Sequence, residues 1–378
     1  MTSLNKIVIS TKSPKAAKAK ETLNHFVLKI NKHLEDYFNR EIKNPFSVSQ
    51  KEKKLVVHML QHIKEHNLRP AKRLRGSFVY YAYRMLGGEE IKVAMSAASA
   101  IEIVHTGILM QDDFMDQDDK RRGLPTSHEH YKDFHKKNKF RFDPYHYGES
   151  MAVMVGDVAM HLGYEILGKL NVSSKQSLHA LVRMVRGVAN TAFGQSFDVT
   201  LESGGKGVEQ DIIDLHHSKT AIYTYENPLH VGAILAGCRS EDLDILSKYA
   251  IPGGVAFQLQ DDLLGLYGDP EKTGKPAHSD LRQGKMTLLI IKALEFGNSN
   301  QVKKIKEIWG KRNVADGEAN IVRQIVKDTG SYDYSVVVAK KWAKKAQLAI
   351  PSMTKKGWDK EGVDYLDGIA QYMVERDW

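Results

Sequence analysis

The segment IKVAMSAASAIEIVHTGILMQDDFMD (residues 91–116) decides the fold class. It contains no proline, and its apolar residues cover nearly every face of a helix of about seven turns. Such a helix is buried among other helices, because a surface helix keeps one polar face. Three more segments share the pattern: SLHALVRMVRGVANTAFGQSFDV (177–199), KTAIYTYENPLHVGAILAG (219–237) and DLDILSKYAIPGGVAFQLQDDLLGLYG (242–268), the last with a Pro-Gly-Gly interruption. The sequence therefore predicts an all-α fold.

The rest of the chain is compatible with one helical domain. Strand-like alternation is scarce and no internal repeat is present, so the sequence predicts a single-domain helical bundle over residues 21–378. Residues 1–20 are basic and lack periodicity, and we expect a flexible lead-in there. The segment KDFHKKNKFRFDPYHYGES (132–150) is expected to form a loop or a short irregular excursion.

Composition narrows the class of function. The net charge of +9 indicates an anionic partner, but the sequence has no zinc-finger spacing, RNA-binding aromatic signature or basic heptad region. We therefore predict no nucleic-acid partner. No run reaches the roughly 18–20 apolar residues that a spanning helix needs, so we predict no integral membrane segment. The single cysteine, Cys238, excludes an intrachain disulfide and fits a cytoplasmic location.

Two groups of aspartates interrupt the apolar helices. They are Asp112, Asp113 and Asp116 in the first helix, with the pattern D-D-x-x-D, and Asp261 and Asp262 in another. Positions i and i+4 lie one above the other on a helix, so the first group can converge on one point. Burying carboxylates costs on the order of several kcal/mol per ion unless a cation compensates. Aspartate oxygens alone suit Mg²⁺, which proteins hold with one or two carboxylates and a substrate's phosphates.

A solvated helix end would explain one acid pair, but two pairs in two apolar helices favour the metal interpretation. Basic residues stand at the ends of the predicted helices, where a phosphorylated ligand would bring them together: Lys72, Arg73, Arg75, Arg121, Arg122, Lys219, Lys275 and Lys285. The residues His128, Glu129 and His130 in SHEHY (127–131) lack the HExxH spacing, and we interpret the two histidines as a loop pair rather than a metal site.

These motifs together resemble the trans-isoprenyl diphosphate synthases, the polyprenyl synthetase family that includes farnesyl and geranylgeranyl diphosphate synthases. They follow one another as AKRLRG (71–76), EIVHTGILMQDDFMDQDDKRRGLPT (102–126), GD (156–157), GQSFD (194–198), SKTA (218–221), FQLQDDLLGLYGD (257–269), TGK (273–275) and QGKMT (283–287). The resemblance implies helices around a deep central cavity, a homodimer, and condensation of isopentenyl diphosphate with an allylic diphosphate in the presence of Mg²⁺.

The resemblance also implies roles for individual residues. Three Mg²⁺ ions, with Mn²⁺ as an expected substitute, would be held by Asp112, Asp113, Asp116, Asp261 and Asp262. The positions for the allylic diphosphate are Arg121, Lys219, Thr220, Gln258, Lys275 and Lys285. Those for isopentenyl diphosphate are Lys72, Arg75, His105 and Arg122. Asp112, Asp113, Asp116, Lys219 and Asp261 are the expected catalytic set. Gly265 stands where many members carry a third aspartate of the second motif.

Product length is expected to depend on the helix before the first acid motif. Gly107 and Ile108 lie five and four residues before Asp112, where a bulky residue acts as the cavity floor in this family. With glycine at one position and Val104 as the next stop, we expect a geranylgeranyl (C20) or longer product. Two alternatives stay open: a class I terpene synthase or cyclase, and a non-catalytic regulatory subunit of a prenyl synthase.

Overall fold

The computed structural model describes residues 13–46, 49–268 and 278–375. Within these ranges the chain is an assembly of helices with one two-stranded hairpin, and this confirms the all-α prediction. The elements of the first part are α1 (Pro14–Lys43), α2 (Gln50–Leu68), α3 (Leu74–Met85), α4 (Ile91–Met115), β1 (Lys120–Arg121), β2 (Leu124–Pro125), α5 (Ser127–Lys137) and α6 (Pro144–Gly168). Those of the middle are α7 (Ser174–Gly204), α8 (Glu209–Leu215), a π-helix (His216–Glu226), α9 (Asn227–Leu235) and α10 (Ser240–Tyr267).

The C-terminal part consists of shorter helices. They are α11 (Ser279–Gln283), α12 (Leu288–Phe296), α13 (Ser299–Ile308), α14 (Asp316–Asp328), α15 (Ser331–Gln347), α16 (Ile350–Lys355) and α17 (Lys360–Glu375). Helix α15 packs along α10, and α17 packs along α1, so the C-terminal part covers the long helices of the middle.

Helix α4 lies in the core, as its composition predicts. It packs against α6 and α3 most extensively and also contacts α1, α2, α5 and α9. By length and composition it is the one described helix that could cross a membrane, but 78% of its most apolar window is buried inside the protein. Neighbouring helices therefore cover its apolar faces.

Helix α10 is continuous, which corrects the expected Pro-Gly-Gly interruption. Pro252 lies inside the helix, and the two glycines after it face the π-helix. A Cβ added to Gly254 would lie 2.4 Å from Cα of Ala221, and one added to Gly253 would lie 3.1 Å from the Tyr225 ring. The glycines therefore permit close packing of α10 on the π-helix, which carries Lys219 and Thr220.

Two other expectations from the sequence need correction. Helix α1 begins at Pro14, capped by the Ser13 hydroxyl, so part of the expected lead-in over residues 1–20 is helical. Residues 1–12 lie outside the described ranges. The segment 132–150 is mostly helical rather than a loop, because α5 ends at Lys137 and α6 begins at Pro144, capped by Asp143. The repeated lysines and aromatic residues concealed the helical periodicity there.

Candidate active site

The first acid motif lies at the C-terminal end of α4. Asp112 keeps 22% of its side chain exposed, whereas Asp113 is fully buried. Arg121 Nε donates to Asp113 Oδ1, and His66 Nε2 lies 3.7 Å from the other oxygen of that carboxylate. Asp113 therefore points into the protein, while Asp112 and Asp116 keep part of their side chains exposed. The space beside Asp112 and Asp116 is called the cleft below.

The second acid motif repeats this division on α10. Asp262 is buried and its Oδ1 accepts a hydrogen bond of 3.0 Å from Gln258, which in turn accepts one of 2.9 Å from Thr220. His216 Nε2 lies 3.1 Å from Asp262 Oδ2. Asp261 is partly exposed. In each pair the first aspartate is accessible, and the second is held by a neighbouring side chain with a histidine behind it.

A two-residue hairpin carries the two arginines of KRRG. Strands β1 and β2 pair antiparallel, and Arg122 and Gly123 between them have φ values of 55° and 78°. Two consecutive positive φ values are typical of the type I′ turn, which matches the twist of the strands. Arg69 at the end of α2 donates to the backbone oxygens of Arg121 (3.2 Å) and Pro125 (2.9 Å). The hairpin is thus anchored beside α4.

Lysines from two other elements reach the same cleft. Lys219 of the π-helix pairs with Asp198 of α7 at 2.5 Å, and Lys285 Nζ lies 3.3 Å from Asp116 Oδ2. Gly194 makes the first contact possible, since a Cβ there would lie 2.5 Å from Cα of Lys219. Gln283 donates to the backbone oxygen of Asp116 at 3.2 Å. The QGK motif therefore closes over the first acid motif.

These charges set the ionisation of the cleft acids. Burial and the Asp116 carboxylate raise the pKa of Asp112. Burial opposes ionisation of Asp116 too, but Lys285 and Lys219 hold the pKa of Asp116 below its ordinary value. Burial and Asp198 raise the pKa of Glu202 on α7 to about 7. A bound cation would therefore stabilise the charged form of these acids, and the lysines beside them suit a bound anion.

Arg75 and His105 form a second basic group next to the acids. Arg75 Nη1 donates to His105 Nε2 at 2.9 Å, Nη2 donates to Thr224 at 2.7 Å, and the guanidinium lies 5.0 Å from the Tyr223 ring centre. Because an arginine only donates, neutral His105 carries its proton on Nδ1. Burial and Arg75 lower the pKa of His105 well below its ordinary value. Among the described residues, neither His105 Nδ1 nor Arg75 Nε has a hydrogen-bond partner.

Arg122 completes this group of cations. It donates to the backbone oxygen of Arg69 at 3.2 Å. Burial and Arg121 lower the pKa of Arg122 to about 10. Lys72 lies in the short connection between α2 and α3, and its neighbour Arg73 is structural, since it binds Asn31, Glu102 and the backbone of Asn67. Lys275 lies outside the described residues.

The positions expected to set product length divide between two faces of α4. A Cβ on Gly107 would lie 2.4 Å from the backbone oxygen of Gly156 on α6, and Val104 lies against Gly163 of the same helix. Both residues therefore pack closely on α6, and their expected effect on product length stays a prediction. Ile108 lies on the helix face of His105 and Asp112, which are three residues before and four residues after it.

Several residues that hold the site were missed or misread at the sequence level. Asp118 was not assigned to the motif, yet it is buried, its Oδ1 accepts from Gln283 at 3.3 Å, and burial raises its pKa to about 6. Asp198 and Gln283 belong to quoted motifs, so their positions carried a signal without a role. His66 lies on α2 and Arg69 directly follows that helix; both are outside these motifs, and only tertiary contacts identify them.

The cleft acids suit a hard divalent cation. Their ligand atoms are carboxylate oxygens, which such cations prefer. A separate group, Asp119, His128 and Glu129, has ligand atoms within 4.8 Å of one another. His128 and Glu129 are on α5 and not in a loop, and Glu129 forms an ion pair with Lys132.

Comparison with known proteins decides the family. The family profile described as Polyprenyl synthetase matches residues 57–328. The chain belongs to this family. It is 33% identical over 261 residues to the short chain isoprenyl diphosphate synthase of Methanocaldococcus jannaschii, covering 69% of this chain and 74% of that protein. It is 31% identical over 307 residues to the geranylgeranyl diphosphate synthase of Sulfolobus acidocaldarius, covering 81% of this chain and 87% of that protein.

A solved structure agrees with the family assignment. The polyprenyl synthetase fold of this chain matches geranylgeranyl pyrophosphate synthase from Corynebacterium glutamicum with a TM-score of 0.83 and 27% identity. The match covers 92% of this chain and 99% of the other, which was crystallised with isoprenyl diphosphate and magnesium. As a polyprenyl synthetase, the chain is a prenyltransferase that makes a prenyl diphosphate.

Proposed function

We propose that this polyprenyl synthetase condenses isopentenyl diphosphate with an allylic diphosphate in a Mg²⁺-dependent reaction. The observation that carries the proposal is the pairing of two anion sites with one acid-lined cleft. Lys219, Lys285 and Arg121 contact acids of the cleft or their neighbours. Arg75 and His105 keep unpartnered donor atoms in a separate group. A cyclase that ionises one diphosphate has no use for the second group.

Asp112, Asp116 and Asp261 are the proposed metal-binding residues, because each has an accessible carboxylate. Asp113 and Asp262 are proposed instead to position their neighbours. Bound Mg²⁺ would neutralise charge on the departing diphosphate and so favour breaking of the allylic C–O bond. Oxygen-only ligands support Mg²⁺, with Mn²⁺ as the expected substitute.

The other side chains of the site have two proposed roles: stabilising the leaving diphosphate and binding isopentenyl diphosphate. Lys219, Lys285 and Arg121 stabilise negative charge that develops on the leaving diphosphate. Arg75, His105 and Arg122 hold isopentenyl diphosphate so that its double bond faces the allylic carbon. A carbon–carbon bond forms as the double bond attacks, and a proton then leaves to restore a double bond. The released pyrophosphate is the proposed base for that proton.

The proposed product is geranylgeranyl diphosphate or a longer prenyl diphosphate. Relatives named geranylgeranyl and geranylfarnesyl diphosphate synthase support this range. Ile108 is of moderate size and lies on the cleft face, so it leaves more depth than an aromatic side chain would. We also propose a cytoplasmic location, in keeping with the free Cys238.

The enzyme is proposed to act as a homodimer that pairs α6 and α7. Helix α7 has a row of exposed apolar side chains along one face: Leu178, Val182, Val185, Phe193 and Val199. Val153 and Met154 extend apolar exposure onto α6. Phe193 is 67% exposed and Val182 59%, and contiguous apolar exposure of this kind marks association surfaces.

Radiolabelled isopentenyl diphosphate tests the reaction. The purified protein is incubated with Mg²⁺ and dimethylallyl, geranyl or farnesyl diphosphate, and the products are sized by chromatography. We expect elongation that Lys219→Ala lowers by roughly 100-fold or more, by analogy with loss of one charge-stabilising donor. The exposed Lys248 on α10 supplies the control, since Lys248→Ala should keep full activity. Absence of elongation with every primer would refute the proposal.

A further inference from the structure

The connection between α5 and α6 exposes aromatic rings on the protein surface. We refer to residues 136–145, KKNKFRFDPY, as the α5–α6 tip. Phe142 is 88% exposed, Tyr145 59% and Phe140 46%. The Phe140 ring packs edge-on against Phe134 of α5, which anchors the start of the tip, whereas the Phe142 ring projects into solvent.

Phe142 also has a backbone conformation that is unfavourable for a residue with a bulky side chain. Its φ is 73°, in the left-handed region that glycine adopts without steric cost. Neither burial nor backbone conformation therefore favours phenylalanine over a smaller residue at this position. The fold alone gives no reason for an aromatic ring there.

Cations surround these exposed rings. Four of them lie in the tip, and all four are exposed: Lys136, Lys137, Lys139 and Arg141. The Arg141 guanidinium lies 5.3 Å from the centre of the Phe142 ring. The one acid of the tip, Asp143, accepts a hydrogen bond of 3.0 Å from the Tyr145 backbone and so caps α6. Residues 136–145 therefore carry a net charge of +3 around the aromatic rings.

The α5–α6 tip lies at the end of the molecule that holds the cleft. Helix α6 runs antiparallel to α4, because a Cβ on Gly163 would lie 2.6 Å from the Ala100 oxygen. Nearer the start of α6, a Cβ on Gly156 would lie 2.7 Å from Gln111 Cγ. The first residue of α6 is twelve residues before Gly156, or about 18 Å along the helix axis, whereas Asp116 is only about 8 Å beyond Gln111. The tip therefore projects past Asp116.

Exposed aromatic rings within a basic surface are typical of proteins that bind an anionic membrane from one side. The rings enter the boundary between head groups and acyl chains, while lysine and arginine attract the anionic head groups. A nucleic acid is a poorer match, because its bases stack on the flat faces of aromatic rings. In the tip, the Phe140 ring meets its neighbour Phe134 edge-on, and the Phe142 ring stands on a protruding turn.

We propose that the α5–α6 tip binds the surface of an anionic lipid membrane. Phe140 and Phe142 insert beside the head groups, and the four cations of the tip hold anionic lipids around them. The cleft end of the enzyme then lies next to the membrane. A prenyl diphosphate has an apolar chain and an anionic head, so it can pass from the protein into the membrane with little exposure of its chain to water.

Vesicle sedimentation with the purified full chain tests the proposal. The probes are mixed vesicles of phosphatidylcholine and phosphatidylglycerol, and neutral vesicles of phosphatidylcholine alone. We expect the protein to sediment with the mixed vesicles, and we expect high salt to weaken this binding because salt screens exposed charges. Absence of binding to the mixed vesicles at low salt, or equal binding to neutral vesicles, would overturn the proposal.

Phe142→Gly tests the aromatic ring without disturbing the fold. Glycine adopts a φ of 73° without strain, so this variant should melt close to the wild-type temperature. It should nevertheless bind the mixed vesicles roughly 10-fold or more weakly, because it lacks the ring that enters the membrane. Leu348→Ser removes an apolar side chain that is 71% exposed elsewhere, and this control should bind as the wild type does. Wild-type binding by a folded Phe142→Gly protein would contradict the proposal.

A pair of double variants tests the charge. Lys139→Gln/Arg141→Gln should weaken binding to the mixed vesicles by roughly 20-fold or more, since each cation near an anionic membrane strengthens binding about 5-fold. Lys340→Gln/Lys341→Gln removes the same charge from exposed lysines of α15, and this control should keep wild-type binding. An equal loss in both double variants would mean that net charge acts without the tip, and it would overturn the assignment.

Other occupants of the tip give different results with the same proteins. Binding of a single-stranded oligonucleotide that Lys139→Gln/Arg141→Gln abolishes, without binding to vesicles, would replace the membrane by a nucleic acid. A Phe142→Gly protein that changes from dimer to monomer in light scattering would place the tip in a subunit interface instead. Vesicle binding requires no turnover, so its outcome is independent of whether the enzyme elongates isopentenyl diphosphate.

Discussion

Asp113 and Asp262 each follow an acid that is accessible from the cleft, yet both turn into the protein. Adjacent residues on a helix point about 100° apart, so one cleft cannot receive both side chains of a pair equally. The helical pattern therefore predicts that the two aspartates differ. It does not predict their partners, because His66 and Arg121 come from α2 and the hairpin. Only the tertiary structure brings these elements to α4.

Replacement of Asp113 should separate positioning from metal binding. Asp113→Asn keeps the size of the side chain but removes the charge that holds Arg121, so we expect KM for the allylic diphosphate to rise by roughly 10-fold or more, since hydrogen bonds to charged groups contribute about 1.5–3 kcal/mol. The Mg²⁺ concentration for half-maximal rate should change little. Asp112→Asn is the matched control and should raise that concentration strongly. The reverse pattern would place Asp113 among the metal ligands.

At the scale of the element, the sequence predicts helix α4 but not which neighbour each of its faces meets. Its apolar run identified the core position, but a helix that is apolar all round gives no periodic signal to distinguish the cavity from a neighbour. Gly107 looked like an open floor because it is small. In the structure Gly107 makes a close contact with Gly156. Similarly, the glycines after Pro252 looked like a break and proved to be packing sites.

Gly107 and Ile108 lie on different faces of α4, so substitutions at the two positions should have different effects. Gly107→Ala places a methyl group 2.4 Å from the Gly156 oxygen and should lower the free energy of unfolding by about 1–3 kcal/mol, the usual cost of overpacking. Urea denaturation measures this change in the free energy of unfolding. Replacing glycine by alanine in a helix interior by itself stabilises by about 1 kcal/mol, so a net loss of stability reports the clash. A stable Gly107→Ala protein with shortened products would support the predicted role of Gly107 at the cavity floor.

Ile108 is the position at which bulk should act on product length. Ile108→Phe adds an aromatic ring on the face of His105 and Asp112, and we expect the main product to lose at least one five-carbon unit. The conservative Ile108→Leu should keep the wild-type product. Chromatography of radiolabelled products compares the two variants. Unchanged product from a folded Ile108→Phe enzyme would mean that the cavity floor lies on another helix.

The contact between α2 and α5 makes stability depend on pH. His58, His62 and His130 stack, with His62 and His130 ring centres 4.2 Å apart, and His62 Nε2 lies 2.9 Å from the Ser127 hydroxyl. Burial, then His130, lowers the pKa of His62 to about 2, and burial lowers the pKa of His58 and His130 as well. The folded state therefore keeps these rings neutral near pH 7.

The sign of the effect follows from the unfolded chain, whose histidines protonate near pH 6.5. The stabilisation from neutral His62 is complete above that pH and is lost as pH falls toward the folded pKa of about 2. For His62 alone, the free energy of unfolding falls by about 1.4 kcal/mol per pH unit. Urea denaturation should show that the free energy of unfolding is about 2 kcal/mol lower at pH 5 than at pH 7, and that this difference is smaller in His62→Phe. Equal drops in both proteins would exclude His62 as the source.

For the molecule as a whole, the sequence was sufficient to predict the fold class and the family. Long apolar helices and acid pairs are local patterns, so a contiguous stretch of sequence is enough to recognise them. What could not be predicted depends on contacts between distant segments: Asp280 beside Gly265, Gln283 on Asp116, and Arg69 under the hairpin. The same limit applies to the outer surface, where an exposed apolar row has no partner inside one chain.

That row on α7 predicts the behaviour of the intact molecule in solution. If it pairs with a second copy, Val182→Glu or Phe193→Glu would bury a charge in the interface, and we expect the dimer to dissociate into monomers in light scattering coupled to size exclusion. Leu348→Glu, at a side chain that is 71% exposed outside α6 and α7, is the matched control and should stay dimeric. Because α7 also carries Asp198, the partner of Lys219, the monomeric variants should be less active than the dimeric wild type. A wild-type protein that runs as a monomer at all concentrations would refute the interface, and an active Phe193→Glu monomer would show that pairing does not support the site.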